Sequence, residues 1–416
     1  MAEALDGEIL CSDLGSVVRC EPLTVVLPLD RDRLARIPGQ PPPDAPLVCL
    51  DTETTGLATA AGTMAFLVGL GWWEADRFRQ AQLLLPDQPD EAALLAVLES
   101  HIPANSWLVT YNGRGFDWPL LVARYQMARR APPLHAGHLD LLPFVRRVFK
   151  HRLSDARLRT VESELLSVVR HEDVDGWEIP GRYFEFLRSG LAGPLLAVVR
   201  HNREDVRSLA RLLAHIDGQF ADETARRGAH SGDLAGLARA FSRERRLDEA
   251  LACLDTAVAG SVPRTHPATA PGVDPDSDLW WTPRRPVDYG GRSSARSPVA
   301  PHRLESPWTD ERIQVERARL LRRLGRYAAA VEAWEALAAG VGPIGPIAWI
   351  EIAKLREHRL ADLGGAVAAA YRARQLSERR RHIGRIDPPL DRAIARRLER
   401  LERRLEAAGA RAARVS

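Results

Sequence analysis

The chain has 416 residues, 45% hydrophobic and 27% charged, which fits a globular protein of two or three domains. A formal net charge of +3 is too small to point to any partner by itself. The four cysteines (Cys11, Cys20, Cys49, Cys253) form no CxxC pair and exclude a zinc-finger or disulfide framework, while no apolar run approaches a membrane span.

Residues 1–45 are weakly patterned and are read as an N-terminal extension, closed by the Pro-rich join "PGQPPPDAP". With no basic n-region or apolar h-region at the N-terminus, the chain is expected to be cytoplasmic, with no membrane partner. Leu47–Leu50 read as a buried strand. MAFLVGLGWW (64–73), an EAD turn and RFRQAQLLL (77–85) predict an adjoining hairpin. PDEAALLAVLESHI (89–102) has an acidic start and helical spacing. SWLVTYN (106–112) is a short strand, and FDWPLLVARYQMARR (116–130) a helix whose Pro119 is tolerated in the first turn. HLDLL (138–142) marks another strand edge, and residues 191–216 predict a long amphipathic helix. Strands and helices in this order predict an α/β domain over 46–220, a mixed sheet flanked by helices.

Beyond residue 230 strand signals vanish. GLARAFSRERRLDEALACL (236–254), ERARLLRRLGRYAAAVEAW (316–334) and EIAKLREHRLADLGGAVAA (351–369) repeat one helix-pair pattern. Aligned on Gly325 and Leu360, the last two are 35 residues apart, the span of one tetratricopeptide-like pair. The all-α helical-repeat domain is therefore assigned to 230–260 and 309–410, with 261–308, rich in Pro, Ser, Arg and Asp, as a disordered insertion. Residues 371–416 hold fourteen Arg against six acids, a local +8 that leaves about −5 for residues 1–370. Arg and Glu alternate at helical spacing in this last stretch, which favours a solvated, salt-laced face over a nucleic-acid site.

Three stretches carry the chemistry. In "LVCLDTETTG" the strand ends in Asp51 and Glu53, which share a face at i and i+2 with Cα atoms roughly 7 Å apart. Two such carboxylates repel unless a cation sits between them. In "VTYNGRGFDWPLL" a strand ends at Asn112 and Asp117 opens a helix, whose N-terminus favours negative charge. In "VVRHNREDVRSLA" His201 and Asp205 are four apart on one helix face. Four acids from separate elements, with one His beside them, suit two divalent ions about 3.5–4 Å apart. Taken singly, each acid also reads as a cap or a surface group; Asp140 in HLDLL reads equally as a helix cap.

DTETTG, YNGRGFD and HNRED, in that order, resemble the three motifs of the DEDD exonuclease superfamily on a ribonuclease H-like fold. HLDLLPFVRRVF and VRHEDVDGWEIPGRYFEFLRSG make the resemblance closer still, to the YprB-like ribonuclease H-like domain over roughly 45–218. It implies that Asp51, Glu53, Asp117 and Asp205 hold two Mg²⁺ or Mn²⁺ ions and that His201 positions or deprotonates the attacking water. It further implies outer partners at Asp140 and Asn112 and substrate contacts from Thr52, Thr54 and Gly56. His201 stands four residues before the last Asp, where the superfamily's Tyr-type branch has Tyr; the His-type branch places its His five before.

The reading is a metal-dependent phosphodiester hydrolase, a 3′–5′ exonuclease on a single-stranded end of DNA or RNA, with helical repeats that dock a protein partner. Two alternatives share the sequence. One is a weakly active or inactive nucleic-acid-binding adaptor, the other a structure-selective endonuclease on the same acids. For His201 the competing role is a structural hydrogen bond on the helix face.

Overall fold

In a computed structural model the chain is described at residues 2–56, 62–170, 173–260, 308–340 and 342–415. These residues fall into two units that divide after Gly260. The first is built on a seven-stranded sheet in the order β1-β2-β5-β4-β3-β6-β7. Its strands are β1 (Gly7–Ser12), β2 (Gly15–Val26), β3 (Leu47–Thr54), β4 (Ala65–Glu74), β5 (Arg77–Leu84), β6 (Trp107–Thr110) and β7 (Gly137–Asp140). From β1 to β3 each pairing is antiparallel, whereas β3–β6 and β6–β7 are parallel. The sheet is mixed, as expected.

Helices α1 (Arg31–Leu34), α2 (Glu91–Ser100), α3 (Asp117–Met127), α4 (Leu141–Val148), α5 (Leu158–Glu164), α6 (Ile179–Ser189), α7 (Gly193–Phe220), α8 (Glu223–Arg227), α9 (Ser231–Arg243) and α10 (Leu247–Gly260) complete this unit. In α7 the buried residues Leu195, Val198, Val199, Asn202, Val206, Leu209, Leu213, Ile216 and Phe220 recur at three- and four-residue steps and form one stripe. That stripe lies on β3, β4 and β5. Two glycines set how closely it lies. A Cβ at Gly69 would fall 2.1 Å from Asn202 Oδ1 and 2.7 Å from Val206 Cγ2, and one at Gly71 would fall 2.8 Å from Val206 Cγ1. Gly69 is also the cross-strand partner of Asp51. The strip of β4 without side chains therefore lets α7 descend beside the carboxylates of β3. On a neighbouring helix, Tyr183 of α6 stacks on Phe66 of β4 with ring centroids 4.1 Å apart.

Two sequence expectations need correction here. Residues 1–45 are not an extension outside the domain, because β1 and β2 carry the antiparallel half of the sheet to its edge through β5. The pair α9–α10, assigned to the repeats as 230–260, lies in the first unit and packs on α4. A Cβ at Gly236 of α9 would sit 2.6 Å from Val148 Cα, so the helices touch backbone to backbone. The contact is tied by Arg152, whose guanidinium bonds both oxygens of the buried Asp233 at 3.1 and 2.7 Å.

The second unit is all-helical: α11 (Trp308–Arg323), α12 (Tyr327–Ala338), α13 (Gly345–His358), α14 (Leu363–His382) and α15 (Pro388–Val415) pack in sequence, each on the next. Gly325, at φ +74°, turns the chain between α11 and α12, and the Asp362 carboxylate caps α14 through the Gly365 N–H at 2.7 Å. The insertion expected at 261–308 lies, except for Trp308, outside the described residues. Among the described residues no helix is long and apolar enough to cross a membrane.

Candidate metal centre and active site

β3 carries an apolar start, Leu47 to Leu50, into the sheet and ends in the half-buried Asp51 and Glu53. Asn202 on α7 reaches across Gly69 and donates from Nδ2 to Asp51 Oδ2 at 2.9 Å, which fixes that carboxylate. From the adjacent position on α7, His201 Nε2 faces Glu53 Oε1 at 3.9 Å and Asp205 Oδ2 at 3.6 Å. Glu53, His201 and Asp205 each bring one ligand atom within 4.8 Å of the others. Asp117, the first residue of α3, is tied to β3 by the Thr52 hydroxyl, which donates to its Oδ1 at 2.5 Å. The five residues singled out in the sequence thus converge on one end of β3.

Their electrostatics are unbalanced. Burial, and then the charges of Asp205, Asp117 and Glu53, push the Asp51 carboxyl well above the ordinary range, against the pull of the Asn202 amide. Burial, and then Asp205 and Asp117, do the same to Glu53, with Arg170 offsetting only part of the effect. Asp117 is pushed up to about 6, its burial outweighing the hydrogen bonds from Thr52 and the backbone. Buried carboxylates with too few cations are a donor set in want of a positive ion. Hard oxygen donors of this kind suit a hard divalent cation, so the residues fit the divalent metals that RNase H-like nucleases use.

A second layer, absent from the sequence reading, comes from the irregular chain between α5 and α6. Arg170, whose side chain is only 7% exposed, bonds Asp205 Oδ1 and Glu162 Oε1 and lies 3.4 Å from Asp173 Oδ2. His201 Nδ1 lies 2.7 Å from Asp173 Oδ1. Burial would raise the Asp173 carboxyl, but the bond and charge of His201 and the charge of Arg170 prevail and hold it below its ordinary value. Together with Leu158, Arg159, Val174, Asp175 and Gly176, these side chains line a cavity of about 220 Å³ that reaches His201 and Asp205. Arg170 and Asp173 lie in a stretch without periodicity. They fall within the VRHEDVDGWEIPGRYFEFLRSG run that carries the resemblance, but only their reach onto α7 gives them a role, and Asn202 sits unmarked between His201 and Asp205 in the HNRED motif.

Other expected partners turn out otherwise placed. The Asp140 carboxylate caps α4 through Leu142 N–H at 3.0 Å and accepts from the N–H groups of Asn112 and Arg114 at 2.8 and 3.3 Å. It braces the turn before Asp117, and its charge adds to the rise at Asp117. Asn112 is exposed at φ +67° and enters this arrangement through its backbone. Thr52 and Thr54 are each 8% exposed, and their hydroxyls donate to Asp117 and to the Gly56 carbonyl. Residues 57–61, which follow Gly56, lie outside the described residues. A second group with ligand atoms in reach, His151, His230 and Asp233, is an interhelical tie: Arg152 occupies both Asp233 oxygens and His230 Nδ1 caps α9 through Gly232 N–H at 3.1 Å.

A family model of the RNase H superfamily matches residues 48–217, from the second residue of β3 into the last turn of α7. Over 217 residues the chain is 38% identical to the uncharacterized protein YprB of Bacillus subtilis (strain 168). The aligned part covers 52% of this chain and 52% of that protein, so the similarity spans about half the length of the relative. Residues 48–217, with their acids gathered between β3, α3 and α7, are an RNase H-superfamily domain.

Proposed function

We propose that the chain hydrolyses phosphodiester bonds of DNA or RNA as a 3′–5′ exonuclease, with two divalent cations, Mg²⁺ or Mn²⁺, held by Asp51, Glu53, Asp117 and Asp205. The observation that carries this reading is the surplus of buried negative charge at the end of β3, where burial, and then the neighbouring acids, raise both Asp51 and Glu53. Bound divalent ions supply Lewis acidity that activates water and stabilises the leaving oxygen of an in-line displacement. Asp51 is oriented by Asn202, Asp117 by Thr52 and Asp205 by Arg170, so three of the four donors are held before any ligand arrives. His201 presents Nε2 on the side of Glu53 and Asp205, where a neutral imidazole accepts or orients a proton of the attacking water. In the second unit, the pairs α11–α12 and α13–α14 are read as tetratricopeptide-like modules for a protein partner.

The test is hydrolysis of single-stranded DNA and RNA, labelled at the 5′ or the 3′ end, with Mg²⁺, with Mn²⁺ and with EDTA. Progressive shortening of the 5′-labelled strand and early release of a labelled mononucleotide from the 3′-labelled one are expected. Both should be lost with EDTA and in Asp51→Asn. Internal cuts from the earliest time points would make the chain an endonuclease. Binding without cleavage under every cation would leave only the adaptor reading.

A further inference from the structure

His201 is held on one side and open on the other. Its Nδ1 lies 2.7 Å from Asp173 Oδ1, while its Nε2 looks toward Glu53 and Asp205 at 3.9 and 3.6 Å. A carboxylate at that distance accepts a hydrogen bond and donates none, so the proton between the two belongs on Nδ1. A neutral ring with its proton on Nδ1 has its lone pair on Nε2, facing the acids. Free imidazole side chains favour the opposite tautomer, with the proton on Nε2, which would turn a donor toward the site and leave nothing there to accept a proton.

Asp173 is itself immobilised. Its Oδ1 accepts from the Val174 N–H at 3.0 Å, and its Oδ2 lies 3.4 Å from Arg170 NH1. Arg170 is anchored in turn on Glu162, whose side chain is 1% exposed, and its other bond goes to Asp205. One buried guanidinium therefore braces the carboxylate that holds His201 and a carboxylate of the metal set. Arg170 NH1 also comes within 3.5 Å of His201 Nδ1, and as the primary partner it would force a lone pair onto Nδ1. The shorter contact to Asp173 decides against that.

We propose that Asp173 is the positioning residue of His201, fixing the ring as the Nδ1–H tautomer so that Nε2 is the acceptor at the reaction centre. The inference rests on the reading of His201 as the group that handles the attacking water. When a proton moves from water to Nε2, the resulting imidazolium lies against the Asp173 carboxylate, which offsets its charge. No proton passes on to Asp173.

Two measurements test this on the full chain. The first needs no catalysis: ¹⁵N spectra of the histidine rings in divalent-free protein, at a pH high enough for a neutral imidazole, with His201→Gln assigning the signal. A pyrrole-like Nδ1 and a pyridine-like Nε2 are expected for His201 in the wild type, with the reverse pattern gaining population in Asp173→Ala. A pyridine-like Nδ1 in the wild type overturns the proposal, whether or not the chain is a nuclease. The second is kinetic. Asp173→Asn should lower kcat about 10–100-fold with KM within about twofold, the size of effect usual for a group that orients a site residue. Added to His201→Gln, it should cost less than about twofold more. A merely structural Asp173 would cost the same factor in both backgrounds, and that result, or an unchanged kcat in the folded variant, contradicts the proposal. Absence of hydrolysis by the wild type would count against the nuclease reading and leave the spectra to decide the role of Asp173.

Discussion

Two buried charge clusters, one in each unit, are built on opposite arithmetic. In the helical unit one fully buried carboxylate, Glu357 on α13, accepts from Arg397, Arg400 and Arg404 of α15 at 2.8, 2.6 and 2.5 Å. Burial would raise its carboxyl, but the bond and charge of Arg400 and the charges of His358 and Arg397 hold it below the ordinary value. At the end of β3 the ratio is inverted: among the described residues, Asp51, Glu53, Asp117, Asp173, Glu162 and Asp205 gather around one guanidinium and one imidazole. The first cluster is complete with protein groups and serves to join helices. The second lacks positive charge, and a cluster that stays short of cations inside a folded domain is suited to take them from solution.

This contrast can be broken from either side. The largest expected effect is on chemistry: His201→Ala should lower turnover per folded molecule by at least about 10², the usual contribution of a general base. Metal affinity should stay close to wild type, since four carboxylates remain. An unchanged rate in the well-folded variant would remove His201 from the mechanism. Next in size is Glu357→Ala, which leaves three guanidiniums without their shared acceptor. Losing one partner of a buried pair costs about 3–5 kcal/mol, but Arg400 and Arg404 are 45% and 48% exposed and can rehydrate. About 2 kcal/mol is expected in denaturant unfolding of the helical unit, with no change in metal binding.

Gly69→Ala tests the approach of α7. The added methyl group would press on Asn202 and Val206, so a loss of about 1–2 kcal/mol in stability is expected, together with weaker divalent binding as Asp51 loses its Asn202 bond. Melting and metal titration of the variant check both; unchanged metal affinity would detach the glycine notch from the site. The smallest effect is that of pH in divalent-free buffer. Asp117 titrates at about 6 in the folded chain, above its unfolded value, and Asp51 and Glu53 are raised in the same direction. The folded state therefore binds more protons between those values, and its stability should fall as pH rises from 5 to 7. Wild type should lose about 1 kcal/mol more than Asp117→Asn over that range, and saturating Mg²⁺ should remove the difference. A loss equal to that of Asp117→Asn would show that Asp117 is not under strain.

Much of the fold is legible because its elements carry strong periods. The apolar runs of β3, β4 and β5 and the three- and four-residue stripe of α7 stand out from the sequence alone. β1 and β2 do not. β1 is an edge strand with no buried residue, so it needs no apolar run. α9 and α10 resemble the repeats in sequence because a helix pair carries the same small-residue pattern whether it stacks on another pair or, through Gly236, on α4. At the site, Asp51, Glu53, Asp117, His201 and Asp205 are legible through spacing on a strand, a helix start and a helix face. Arg170 and Asp173 are not, because irregular chain carries no period and their importance lies in which atoms of α7 they touch. Thr52 and Thr54 stand beside the acids in sequence, but that their hydroxyls donate to Asp117 and to the Gly56 carbonyl is not legible there.

Calorimetric titration of Mn²⁺ and Mg²⁺ into the metal-free chain, wild type against Asp51→Asn, asks whether the β3 cluster takes its missing charge from solution. The wild type should bind, with a rise in melting temperature on saturation, and Asp51→Asn should bind at least about tenfold more weakly while folding as well or better without metal. No binding at millimolar cation, or equal affinity in the two proteins, would contradict a metal centre at Asp51.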